Sequence, residues 1–269
     1  MLLCAGTDVM NRYEQVINNL DIKIFEKIKT QLSENDKQSL LACQTATRKL
    51  KPNYNYLEIG SYLGGSIQPH LLDEKCALIY SIDKRPLHQP DERGVAYTYL
   101  NNSTARMLEL LQEIAPIQKI KTIDGDTRND ITPSQVTEKI QLCFIDGEHT
   151  DQAVLSDFKF CLEVLDENGA IIFHDAPITY NGIANCVKYL EEKSVKFRAY
   201  SLPDIIFVLE IGDFPIHQSH AVIDRLTNNY KSYLYSLQYN DYYRQFSNKA
   251  PFRFYRKFMV KWRGLNRFD

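Results

Sequence analysis

Apolar and polar positions along the chain switch several times between helical and strand-like spacing. From Val9 to Leu50 apolar residues recur three and four apart, which predicts a helical N-terminal cap. Lys51-Pro52-Asn53 ends it. Short runs rich in β-branched and aromatic residues then predict strands at Tyr54–Ser61, Ala77–Lys84, Lys119–Asp124, Gln141–Gly147, Gly169–Asp175, Phe197–Ser201 and Ile205–Ile211. Helical spacing separates most of them, at Ser66–Asp73, Ser103–Ile114, Pro133–Lys139, Asp151–Leu165 and Ile183–Lys193. Strands alternating with helices build a mostly parallel sheet covered on both faces, the doubly wound α/β arrangement of Rossmann-like folds. The last two strands are joined through Pro203-Asp204, which suits an antiparallel hairpin at the sheet edge. The expected organisation is a helical cap over 1–52, an α/β domain over 53–212 and a helical extension over 213–269.

Composition adds little to that picture except at one end. The 269 residues are 44% hydrophobic and 25% charged, the balance of an ordinary globular protein large enough to bury a full core. Six cysteines, Cys4, Cys43, Cys76, Cys143, Cys161 and Cys186, are scattered without a CxxC pair. That usage fits a reducing, cytoplasmic setting. No apolar run is long enough to span a bilayer, and the start MLLCAG lacks the features of a leader peptide. The net charge of −2 hides an asymmetry: Arg244 to Asp269 holds eight basic residues and one acid, +7, leaving −9 on the remainder. An acidic body argues against nucleic acid as the partner.

Chemistry concentrates at the strand ends. The run NYLEIGSYLGGSI, Asn55 to Ile67, joins an apolar strand containing Glu58 to a turn containing Gly60, Ser61, Gly64 and Gly65, with Ser66 opening the next helix. Such a turn lets a ligand approach the backbone and the free N–H groups of a helix start. The next strand ends in Asp83, and an acid at that point of a doubly wound sheet can accept both hydroxyls of a ribose. The dinucleotide fingerprint GxGxxG is absent, so an NAD-dependent oxidoreductase is a weaker reading.

Farther along, Asp146, Glu148 and His149 in FIDGEH, with His174 and Asp175 in FHDAP, fall beyond two strands whose ends face one crevice. Five oxygen or imidazole donors there suit a divalent cation. The plainer alternative makes the aspartates helix caps and His174 a hydrogen-bonded core residue. The turn Gly125-Asp126-Thr127 after the third strand is either a further ligand contact or an ordinary polar turn.

The glycine run with Glu58, Gly60, Ser61 and Asp83 resembles motif I and the ribose-binding acid of class I S-adenosylmethionine-dependent methyltransferases. Together with FIDGxH and the later His-Asp pair, the stretch from Asn53 to Gly212 resembles the branch containing macrolide-sugar and cephalosporin-tailoring O-methyltransferases. The resemblance implies S-adenosylmethionine as cofactor, with Glu58, Gly60, Ser61, Gly64 and Asp83 around its methionine and ribose parts and Asp126 or Thr127 at its adenine. It also implies Mg2+ or Mn2+ held by Asp146, His174 and Asp175, and a hydroxyl acceptor on a sugar, glycan or small natural product. Where the branch commonly has Asp-Asp or Asp-Asn, this chain has His174-Asp175. His149 is then the general base if His174 ligates the ion, and the roles exchange, or a histidine acts without metal, if it does not. A noncatalytic S-adenosylmethionine-binding assembly subunit is the reading from a different class.

The extension carries two further expectations. His217 to Ser247 looks helical and holds six of the 17 tyrosines, a packing signature. On a helical wheel, residues 252–263 divide into an aromatic face with Phe254, Tyr255, Phe258, Met259 and Trp262 and a basic face with Arg253, Arg256, Lys257, Lys261 and Arg263. That division suits a peripheral contact with anionic lipid; it also suits packing on the domain or in a homo-oligomer.

Overall fold

The computed structural model describes residues 13–93, 96–230, 233–234 and 249–263. The chain divides at Asn229 and Tyr230 into two compact units, and the sheet belongs to the first. Its strands are β1 Tyr54–Ile59, β2 Cys76–Asp83, β5 Ile120–Asp124, β6 Ile140–Ile145, β7 Leu165–Phe173, β8 Phe197–Ser201 and β9 Phe207–Ile211, in the order β5-β2-β1-β6-β7-β9-β8. The first five in that order are parallel, and β9 and β8 close the sheet antiparallel. Strand order reverses between β1 and β6. A ligand crevice therefore opens beyond their carboxyl ends.

Alternation along the strands divides the core into two layers. Tyr54, Tyr56, Ile79, Leu142, Phe144 and Ile172 face one side with helix α1, Glu34–Leu50. Leu57, Ile59, Tyr80, Cys143, Ile145, Ile171 and Phe173 face the other, with helices α4, Asp151–Val164, and α5, Tyr180–Glu192. Helix α1 begins at a capping box in which Ser33 Oγ accepts the Asp36 N–H and the Asp36 carboxylate accepts the Ser33 N–H. It ends before Pro52, which cannot continue it. Shorter helices α2, Gln68–Leu72, and α3, Thr104–Gln112, follow β1 and precede β5, and α6, His220–Leu226, packs on α1.

Several local expectations are corrected. Residues 13–18 are helical, but the chain then breaks at Leu20, which has φ 52°, and runs through the 3-10 turn Ile22–Phe25 and irregular backbone to Ser33. One continuous helical run from Val9 is therefore wrong over its middle, and Val9 to Arg12 lie outside the described residues. The helix expected at Pro133–Lys139 is only the 3-10 turn Pro133–Gln135, which the Thr132/Gln135 capping box opens, because the chain must reach β6 by Ile140. Unexpected from the pattern is the small hairpin of β3, His88–Pro90, and β4, Ala96–Thr98, after β2. Of the tyrosine-rich stretch, residues 217–230 hold a 3-10 turn and α6, and most of the remainder lies outside the described residues.

Candidate active site

At the switch point the end of β1 is hydrogen-bonded to β2 on one side and to the residue after β6 on the other. The Gly60 N–H donates to Ile82 O at 2.8 Å and the Asp146 N–H to Ile59 O at 2.9 Å. Gly60 has φ +92°, and a Cβ placed on it would lie 2.1 Å from the Asp146 carbonyl oxygen. This glycine is required by the neighbouring loop as well as by any ligand. Tyr62, at φ 45°, is held so that its N–H reaches Asp83 Oδ2 at 2.8 Å, while Asp83 Oδ1 accepts the Arg85 N–H at 2.7 Å. Both carboxylate oxygens are oriented by backbone and retain further lone pairs for a diol.

Two open clefts of about 570 Å³ and 310 Å³, solvent at their mouths included, flank this turn and share Gly60, Asp83 and Gln89 in their walls. The larger is also lined by Ser61, Tyr62, Tyr99, Asn102, Asp146 and His149, and by Lys29 to Leu32 of the N-terminal segment. The smaller is lined by Asp126, Thr127, Glu148 and Asp157 among others. A ligand whose ribose joins an adenine to a charged amino-acid tail matches this plan, with Asp83 at the junction of the lobes. Ser61 Oγ is buried at the larger lobe without a hydrogen-bond partner, a group waiting for a polar atom. In the smaller lobe Arg128 holds Asp126 down to about 2, and burial pushes the Asp157 carboxyl up to about 7 against the Thr127 hydroxyl that donates to it.

Two residues expected at the cofactor are elsewhere. Glu58 is fully buried behind the turn, accepting from Tyr56 and Ser66 hydroxyls, each at 2.6 Å, and lines neither cavity. Burial raises its carboxyl to about 7. Gly64 also lies outside both walls; a Cβ there would meet Leu111 and Met107 of α3, so it serves packing.

The acids and imidazoles of the two later strand ends converge. Asp146, His149 and Asp175 each offer a ligand atom within 4.8 Å of the others. His149 Nε2 lies 3.0 Å from Asp175 Oδ2 and 3.9 Å from Asp146 Oδ1, and its Nδ1 lies 3.3 Å from Asp91 Oδ2. His174 takes a different place from the one expected. Its Nδ1 stands 2.9 Å from Asp146 Oδ1 and 3.0 Å from Asp175 Oδ2, while Nε2 turns to the buried Asp36 at 3.5 Å. It backs the two aspartates and is outside the three-residue group. Against the opposing effect of burial, the surrounding carboxylates raise His149 to about 10 and push His174 up as well. Burial works against Asp175 too, yet the two imidazoles hold it well below the usual carboxylate range.

Two carboxylates and one imidazole are a chemically apt donor set for a divalent cation such as Mg2+ or Mn2+. Asp175 sits at φ 51°, a left-handed conformation that Asp tolerates and that aims its side chain back at His149.

Several contributors escaped the sequence reading. Asp91, delivered by the small hairpin and paired with Arg93 at 2.7 Å, orients His149. Asp36, half of the α1 capping box, faces His174 Nε2 from a distant segment. Gln68 ties the N-terminal segment over the glycine turn: its amide donates to Phe25 O, Ile28 O and Gly65 O and its carbonyl accepts the Ile28 N–H. No local motif announces such a clasp.

Known proteins converge on this architecture. A family model described as a methyltransferase domain matches residues 57–176. The O-methyltransferase NovP superposes with a TM-score of 0.53 at 10% identity, covering 67% of this chain and 82% of that one. A calicheamicin methyltransferase superposes at 0.50 and 16% identity, covering 78% and 94%. Both are likenesses of fold. An uncharacterized protein of Acanthamoeba polyphaga mimivirus is 26% identical over 125 residues, 46% of this chain, and the chain spans about half the length of that curated relative. Residues 57–176 match the model of a methyltransferase domain, and the sheet has the fold of the O-methyltransferases it superposes on. The match favours a methyltransferase over the oxidoreductase reading.

Proposed function

We propose that the protein methylates a hydroxyl oxygen of a sugar, glycan or other small natural product, using S-adenosylmethionine and assisted by a divalent cation. The carrying observation is the Asp146, His149 and Asp175 group, two of whose members line the larger cofactor lobe. Asp83 binds the ribose, Ser61 and the backbone after Gly60 receive the methionine portion, and Asp126 with Thr127 borders the adenine. Asp146, His149 and Asp175 are the residues that would hold the cation, which when bound would supply Lewis acidity to lower the pKa of an acceptor hydroxyl. His174, hydrogen-bonded through Nδ1 to Asp175 and 2.9 Å from Asp146 Oδ1, backs both carboxylates. The hydroxyl gives up its proton to solvent as the oxygen–methyl bond forms and the sulfur–methyl bond of the cofactor breaks. One structural neighbour is named for a small natural product, calicheamicin, which supports an acceptor of that class.

The test is transfer of an isotopically labelled methyl group from the cofactor into small-molecule and glycan fractions, with the product atom read by mass spectrometry. Label on oxygen is expected, lost on chelation and restored by Mg2+ or Mn2+. Asp146→Asn and Asp175→Asn should abolish transfer while S-adenosylhomocysteine affinity stays within about threefold, because neither carboxylate is assigned to the nucleoside. Full turnover after exhaustive chelation refutes the cation, and label on nitrogen or carbon refutes the hydroxyl acceptor.

A further inference from the structure

Helix α7, Phe252–Arg263, belongs to the second compact unit. Residues 249–263 contain six basic residues and no acid, within the segment that carries +7 against −9 for the rest of the chain. Phe254, Tyr255 and Phe258 are 70%, 64% and 64% exposed. At 100° per residue these three occupy an arc of about 100°, and the basic positions occupy the other half of the wheel. Arg253 and Lys257, on that basic half, are exposed as well.

We infer that α7 docks the enzyme on an anionic lipid surface. Three large aromatic rings side by side need an apolar medium, and the basic half needs anions in the same plane. The boundary between lipid head groups and acyl chains supplies both at once. At 1.5 Å per residue the helix is about 18 Å long, too short to cross a hydrocarbon core of about 30 Å, so it lies along the surface. Pairing with a second copy of itself would set two acid-free basic segments against each other. A nucleic acid would engage the basic half and leave the aromatic arc in water. The acidic remainder of the chain confines the attraction to this segment and turns the rest of the protein away from the lipid.

The full-length protein is tested by sedimentation with phosphatidylserine/phosphatidylcholine vesicles and with phosphatidylcholine vesicles alone. Retention is expected only on the anionic vesicles, and it should weaken as salt rises from 0.15 M to 1 M, where the screening length falls from about 8 Å to about 3 Å. The pair Phe254→Ser and Phe258→Ser, and separately the pair Arg253→Glu and Lys257→Glu, should each lower vesicle partitioning on the order of a hundredfold. Unchanged S-adenosylhomocysteine affinity in both variants shows that the cleft is intact. Failure of the intact chain to sediment with anionic vesicles overturns the inference. So does unaltered retention of either variant, a shift in oligomer mass by light scattering with vesicle retention unchanged, or binding to duplex DNA in place of vesicles.

Discussion

Glu58 offers the sharpest test of how the cofactor turn is built. Its carboxyl is fully enclosed between β1 and the glycine turn, with the Tyr56 and Ser66 hydroxyls as its partners. Burial raises it from an ordinary 4.5 to about 7, the two hydroxyls oppose that rise, and Asp146 and Asp83 reinforce it. The folded state therefore keeps a proton that the unfolded chain gives up near pH 4.5. Stability from this group is fully present below pH 4.5, declines between 4.5 and 7, and stays lost above 7. At about 1.4 kcal/mol per pH unit the interval is worth about 3 kcal/mol. Glu58→Gln keeps the shape and the hydrogen-bonding capacity of the protonated acid and removes the titration. Urea denaturation at pH 5 and pH 8, in chelator and without cofactor, should show the parent losing about 2.5 kcal/mol more than Glu58→Gln between the two, since part of the loss is already present at pH 5. Asp157, raised to about 7 as well, contributes equally to both proteins and cancels. Parallel stability profiles for the two proteins would refute the reasoning and place water or a fixed positive charge at Glu58.

Two further outcomes follow from the same turn. Gly60→Ala must relieve a 2.1 Å overlap with the Asp146 carbonyl at φ +92°, and a loss of about 3 kcal/mol or more in thermal unfolding is expected, with cofactor binding impaired in whatever remains folded. Asp83→Ala leaves the Tyr62 and Arg85 N–H groups without their acceptor and removes the proposed ribose contact; calorimetry should show S-adenosylhomocysteine binding weakened by about 1–3 kcal/mol, and unchanged affinity in a folded variant would remove Asp83 from the cofactor site.

Much of the sheet was legible in the sequence because its signals are local. A strand needs a short apolar run with turn chemistry on either side, so β1, β2, β5, β6 and β7 announce themselves, and the short link over residues 202–206, with Pro203-Asp204 in it, leaves little but a hairpin between β8 and β9. The strand-end acids were legible for the same reason. Once β6 and β7 are neighbours in a parallel sheet, Asp146, His149 and Asp175 come together beyond their ends, with His174 behind them. Helix ends were harder, because Pro133 and its capping box begin a turn whose length is decided by the distance left to β6.

What the tertiary structure alone decided is which atom of each residue faces which partner. The sequence places two histidines and two aspartates at adjacent strand ends; only packing turns His174 Nε2 toward Asp36, from a helix cap far away in the chain, and sets His149 between Asp91 and Asp175. Likewise Glu58 has the spacing of a cofactor ligand, and only its enclosure by Tyr56 and Ser66 makes it a support for the turn. The N-terminal residues Lys29 to Leu32 reach the cleft because a buried glutamine forty residues on satisfies the backbone just before them. Periodicity and turn chemistry act over a few residues and can be read along the chain. Side-chain orientation inside a site is fixed by contacts between segments distant in sequence, and those exist only once the sheet has brought the segments together.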